Sequence, residues 1–183
     1  MNDDDSIDHI FTRFHVAGDA MYIGEPVTVS DHMLQAAALA TADGADDELV
    51  AAALLHDYGH LVHDLPEDSA DHGIDTRHEE IAMAFLAPLF PAGVTEPIRL
   101  HVAAKRYLVS TDPRYREALS ASSLQSLELQ GGTMSDGERE AFEALPHAVA
   151  ACRLRRYDDA AKERGAAVPP LESYEAVLRS MLH

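Results

Sequence analysis

With 183 residues and 46% hydrophobic content, the chain is long enough to bury its own core, and one domain spanning 1–183 is the expectation. A formal charge of -18, from 32 acidic against 14 basic residues, argues against nonspecific binding to nucleic acid. The single cysteine, Cys152, excludes an internal disulfide and a cysteine-built zinc or iron–sulfur centre. No apolar run approaches the ~20 residues of a membrane helix, and the acidic start MNDDDS lacks a signal-peptide pattern. These features predict a cytoplasmic protein without a membrane or an evident obligate protein partner. Any metal must use ligands other than cysteine, and eleven histidines are available.

Helical periodicity dominates, with no alternating strand pattern. Ile7 to Met21 reads as a first helix, followed by the turn-rich YIGEPVTVS. Ser30 stands where an N-cap belongs, ahead of DHMLQAAALATA. Gly44 ends that helix, and Asp46 or Asp47 caps the next, ELVAAALLHDYGHLV, whose alanines and leucines suit a buried central position. DLPEDSADHGIDTR reads as a polar loop opening onto the helix HEEIAMAFLAPLF. EPIRLHVAAKRYLV, short pieces over 111–128, the turn QGGTMSDG and the helix HAVAACRLRRYDDAAKERG follow, and a short amphipathic helix from Tyr174 to Leu182 closes the chain. The pattern predicts an all-α bundle with no repeats and no linker.

Placed on these helices, His32, the adjacent pair His56 and Asp57, His78, His101 and Asp158 come from five separate segments. Helix bundles build metal sites this way, from side chains projecting inward on facing helices. Imidazole with carboxylate suits iron, manganese, zinc or nickel rather than the all-oxygen shells of calcium and magnesium. Neighbouring residues on a helix point about 100° apart, so His56 and Asp57 can reach two ions, or one ion and its partner, from one backbone position. His60 falls one turn beyond His56, on the same face. His9, His15, His63, His72, His147 and His183 lack such support and read as surface or packing residues.

The order His32, His56-Asp57, Asp158 resembles the HD-domain proteins, an all-α helical bundle family named for its His-Asp pair. The stretches YIGE, LLHDYGH, DTRHEE, LHVAAKRYL, SLELQGG and LRRYDDAAK, spanning 22–162, resemble its phosphonate-degrading, PhnZ-like branch of mixed-valent di-iron oxygenases. The resemblance implies two irons, Fe(II) and Fe(III), and dioxygen as co-substrate. His32, His56 and Asp158 would hold one iron, His78 and His101 the other, and Asp57 would bridge them. Tyr22 and Glu25 would cover the substrate-side iron at rest and move aside for substrate. The implied reaction cleaves the carbon–phosphorus bond of a 1-hydroxy-2-amino- or 1-hydroxy-2-(trimethylammonio)ethylphosphonate, releasing phosphate and glycine or glycine betaine. Glu25 would pair with the ammonium.

Helical spacing adds an argument for the phosphonate. Lys105 lies four residues after His101 and Arg155 three before Asp158, so each cation shares a helix face with a proposed ligand. Such donors suit a dianion in an otherwise acidic chain, the Arg fork especially. His60 is a third donor, and Ser123 offers a hydroxyl, with Ser122 and Ser126 close enough to serve instead. Two rivals use the same residues differently: an HD-domain phosphohydrolase acting on a nucleotide or phosphate ester through a metal-activated hydroxide, and a non-catalytic helical binding protein with incidental histidines.

Overall fold

The protein is described from a computed structural model covering residues 3–22, 24–62 and 76–183. Its helices are α1 (Asp3–Ala17), α2 (Val29–Ala42), α3 (Asp47–Leu55), α4 (Tyr58–Val62), α5 (His78–Leu86), α6 (Ala92–Thr111), α7 (Pro113–Ala118), α8 (Ala121–Leu129), α9 (Asp136–Glu143), α10 (Ala148–Ala160) and α11 (Glu175–Ser180). A 3-10 turn, Leu171–Tyr174, precedes the last. Extended pairing among the described residues is confined to one bridge between Met21 and Thr28, so the fold is all α, as the periodicity predicts. None of the helices is long and apolar enough to cross a membrane. The expected polar loop lies outside the described residues up to position 75, as do His63 and His72.

The core is organised around α3. Every residue from Leu49 to Leu55 is buried, so this helix is apolar on all sides and packs against α2, α6, α10 and α11. Truncating Leu54 or Leu55 to Ala at such a site costs about 2–5 kcal/mol. Asp46 caps α3 by accepting from the Leu49 N–H at 2.9 Å, placing the central helix in register. Gly44 ends α2 as expected: its N–H reaches Thr41 O while the Ala45 N–H reaches Ala40 O, the paired bonds of a Schellman stop.

Several boundaries differ from the sequence reading, α5 ending at Leu86 and α6 running from Ala92 to Thr111 among them, and four of the differences have a visible reason. The first helix is Asp3–Ala17 rather than 7–21, because beyond Gly18 the chain pairs with the entry to α2, through Ser30 N–H to Gly18 O and Val29 N–H to Ala20 O. With its N–H so engaged, Ser30 is not the N-cap; Thr28 is, accepting from the Asp31 N–H at 3.0 Å. The expected single helix over 48–62 breaks at His56 and Asp57, where the His60 N–H turns back to Asp57 O at 2.9 Å and starts α4. The last long helix stops at Ala160 rather than running to Gly165, its end marked by an Ala161 N–H bond to Asp158 O. Helix α9, which the turn QGGTMSDG concealed, is nucleated by a capping box of Ser135 and Glu138.

Candidate active site

The break after α3 delivers His56 and Asp57 to the centre of the bundle. His32 from the first turn of α2, His78 from the first residue of α5, His101 from the middle of α6 and Asp158 from α10 converge on them. All six are buried, and Asp57 and Asp158 are 0% and 1% exposed. The approach of α5 depends on Gly59: a Cβ there would lie 2.0 Å from the His78 carbonyl oxygen. The sequence reading passed over this glycine, although it stands inside the quoted motif LLHDYGH.

The polar atoms fall into two sets that share Asp57. Its Oδ2 lies 3.4 Å from the Nε2 atoms of both His32 and His56, while its Oδ1 lies 3.2 Å from His78 Nε2 and 3.7 Å from His101 Nε2. Asp158 joins the first set, with Oδ1 3.4 Å from His32 Nε2. Within the sets, Nε2 faces Nε2 at 3.1 Å for His32 and His56 and at 3.0 Å for His78 and His101.

These contacts call for cations. Three imidazoles are oriented by backbone carbonyls, His32 Nδ1 by Ala161 O at 2.9 Å, His56 Nδ1 by Ala53 O at 2.8 Å and His101 Nδ1 by Ile98 O at 2.7 Å. A carbonyl only accepts, so each Nδ1 carries a proton, and in the neutral ring, the form that binds a metal, Nε2 turns a lone pair toward its neighbour. Both oxygens of Asp57 lack a hydrogen-bond partner of ordinary geometry among the described residues, whereas Asp158 Oδ2 is paired with Arg155 Nη1 at 2.7 Å. Lone pairs and carboxylates gathered this closely in a buried site are costly unless a positive charge sits between them. The acid–base balance reports the same demand. Burial alone would lower the His32 pKa, yet the carboxylates of Asp158 and Asp57 raise it to about 9. Burial alone would raise that of Asp57, yet the imidazoles of His56 and His78 hold it well below the ordinary carboxylate range. The donor set fits two metal ions: His32, His56 and Asp57 lie close enough for one, and Asp57, His78 and His101 for another.

Beside these sets opens a cavity of about 70 Å³, room for on the order of five water molecules. Tyr22, Glu25, His60, Lys105 and Arg155 all line it, as do Ser122, Ser123 and Ser126. Tyr22 stacks on His32 with ring centroids 4.0 Å apart and planes at 15°; burial, then the charges of Asp57 and Asp158, push its hydroxyl pKa well up. His60 stacks on His78 at 4.4 Å. Gly24, at φ 66°, lets this segment lie against Ser122, whose Oγ is 2.5 Å from where a Cβ would project. Lys105 donates to Ser126 Oγ at 2.8 Å, and burial, with the charge of Arg155, pushes its pKa down to about 7.

Arg155 reaches the cavity wall but is largely engaged elsewhere. Its Nη1 pairs with Asp158 Oδ2 at 2.7 Å, its Nη2 pairs with Asp159, and its Nε donates to Asp159 Oδ2 at 3.0 Å. Tyr115, whose hydroxyl donates to Asp159, completes this buried group. Sequence reasoning missed Tyr115 and Asp159, and it also missed Lys162, which donates to Ser123 Oγ at 2.9 Å and to Glu25 Oε1 at 3.1 Å. Lys162 carried a readable signal: it stands four residues after Asp158, the interval that separates Lys105 from His101.

An all-α bundle with two imidazole–carboxylate clusters beside a cationic cavity defines a metal-binding protein of enzyme type. No family model matches the chain. A dioxygenase of Leisingera caerulea that forms glycine betaine from 1-hydroxy-2-(trimethylamino)ethylphosphonate is 37% identical over 182 residues, covering 100% of this chain and 93% of that protein. Hydroxymethylphosphonate dioxygenase of Gimesia maris is 45% identical over 175 residues, covering 94% of this chain and 86% of that protein. The chain belongs to this family of phosphonate dioxygenases and is an oxygenase.

Proposed function

We propose that this protein is a mixed-valent di-iron oxygenase that uses dioxygen to break the carbon–phosphorus bond of a 1-hydroxyphosphonate. The candidate substrates are 1-hydroxy-2-aminoethylphosphonate and its trimethylammonium analogue, which yield glycine and glycine betaine, together with hydroxymethylphosphonate, the substrate of the Gimesia relative. All carry hydroxyl and phosphonate on one carbon. The observation that carries the proposal is the split of Asp57 between two buried imidazole sets that open on a lysine- and serine-lined cavity.

In this reading His32, His56 and Asp158 hold one iron, His78 and His101 the other, and Asp57 serves both. When bound, the irons supply the redox chemistry by which dioxygen takes up the electrons of the substrate carbon. The protein's own residues bind and orient. Lys105, made partly neutral by burial, regains its proton when a dianion arrives, and Ser126 aims its ammonium. His60, held flat against His78, adds a donor, and Ser123 adds a hydroxyl. Arg155 clamps Asp158 and contributes positive charge to the wall. Tyr22, lying on His32, and Glu25 close the entrance at rest and yield to substrate. One domain in a reducing, cytoplasmic setting suffices for this chemistry, as the lone Cys152 agrees.

The test is phosphate release from the three phosphonates by iron-loaded protein, with and without dioxygen, alongside iron counted per chain. Dioxygen-dependent phosphate together with two irons is the expected result. Hydrolysis of phosphate esters without dioxygen, and no phosphate from any phosphonate, would establish the phosphohydrolase instead.

A further inference from the structure

The chain contains only two lysines, Lys105 and Lys162, and both line the cavity. Their ammonium groups meet hydroxyls of one short helix: Lys105 bonds Ser126 and Lys162 bonds Ser123, neighbours at i and i+3 on α8. Ser126 Oγ in turn donates to Ser123 O at 3.1 Å, tying the two contacts together.

Lys162 is held in place with unusual care for a residue beyond a helix end. The preceding residue, Ala161, offers its carbonyl to His32 Nδ1. The following one, Glu163, exchanges two bonds with the Gln35 side chain, N–H to Oε1 at 3.0 Å and Nε2 to carbonyl oxygen at 2.9 Å. Backbone fixed on both flanks directs the side chain between them into the cavity. There it meets Glu25 Oε1 at 3.1 Å, and Ser120 Oγ donates to the same oxygen at 2.5 Å. Glu25 and Lys162 are 9% and 13% exposed in this pair, so neither charge is well solvated without the other.

Because Arg155 is engaged by Asp158 and Asp159, a phosphonate dianion must find its second flexible cation elsewhere. We infer that Lys162 is a phosphonate-binding residue of this site and that Glu25 is its internal competitor, holding the ammonium at rest until the dianion displaces it. The inference rests on the proposed phosphonate site but not on turnover. A carboxylate already on the ammonium opposes an anionic ligand, so removing the Glu25 charge tightens binding of a phosphonate that has no cation of its own.

The probe is methylphosphonate, which has no hydroxyl to oxidise, titrated calorimetrically into iron-loaded protein without dioxygen. Lys162→Met is expected to weaken binding tenfold or more with iron content unchanged, Lys162→Arg to stay within a few-fold of wild type, and Glu25→Gln to bind several-fold tighter. Wild-type affinity in Lys162→Met, weaker binding in Glu25→Gln, or no detectable binding by wild type would each overturn the assignment. If Lys162→Met lost iron as well, the decision passes to Glu25→Gln, where affinity unchanged from the wild type would overturn the assignment. Lysine-dependent methylphosphonate binding in a protein that releases no phosphate would refute the oxygenase reaction while leaving Lys162 in its role.

Discussion

Replacing Gly59 with Ala tests how the second imidazole set is positioned. The added Cβ would stand 2.0 Å from His78 O, 2.7 Å from its carbonyl carbon and 2.9 Å from its Cα. Those are backbone atoms, so no side-chain rotation relieves the clash, and α4 and α5 must separate by about 1.4 Å to restore an ordinary contact. Ala is the better helix former by about 0.8–1 kcal/mol, which pushes the other way, but overpacking of this kind costs about 1–3 kcal/mol. The larger effect is on metal binding. Ligand distances tolerate about 0.2 Å, so a displacement several times larger removes His78, whose Nε2 now sits 3.2 Å from Asp57 Oδ1. Gly59→Ala should therefore keep about one iron per chain where the proposed centre of the wild type holds two, and lose dioxygen-dependent phosphate release. Iron quantified after anaerobic gel filtration, with thermal unfolding of the metal-free protein, gives both readings. Two retained irons in a protein more stable than wild type would show that the helix approach does not position His78.

Asp57→Ala should lose both metals, because both imidazole sets share that carboxylate, and metal content per chain checks it. Lys105→Ala should keep both metals and raise KM about 10- to 100-fold, the worth of one charge-assisted hydrogen bond of about 1.5–3 kcal/mol; unchanged KM would remove Lys105 from the substrate. Tyr115→Phe leaves Arg155 less constrained and, through it, Asp158, so iron affinity should fall about tenfold, as for other residues that orient ligands, with Asp159→Asn behaving alike. The Ser135 backbone and hydroxyl, then Arg106, lower the Glu138 pKa from 4.5 to about 2. A depressed carboxylate stabilises the fold fully above its unfolded pKa and progressively less as pH falls toward the folded value. The Tm difference between wild type and Glu138→Ala should thus be full at pH 7 and narrow steadily below pH 4.5; a gap independent of pH would show that the charge contributes nothing.

What the sequence determined by itself is the helical class, the buried character of α3 and the identity of the polar residues at the centre. Each follows from short-range regularities: the apolar run Leu49–Leu55 has no polar face to expose, Asp46 stands where a cap belongs, and Lys105 follows His101 by one turn. The Ser135–Glu138 capping box was equally local, and a search for that spacing would have found α9. Lys162 was within reach too, four residues after Asp158. Tertiary structure alone decided the rest. Residues 48–62 read as one continuous helix, and the break at His56 follows only from the tertiary structure, in which α4 turns away from α3 to pack on α5. That Tyr115 of α7 joins Arg155 and Asp159, and that Lys162 meets Glu25 across 137 residues of chain, depends on how segments far apart in sequence come together. Periodicity and caps act within a few turns of one helix, whereas which oxygen of Asp57 faces which imidazole is fixed only when five separate segments are brought to one point by the core that surrounds them.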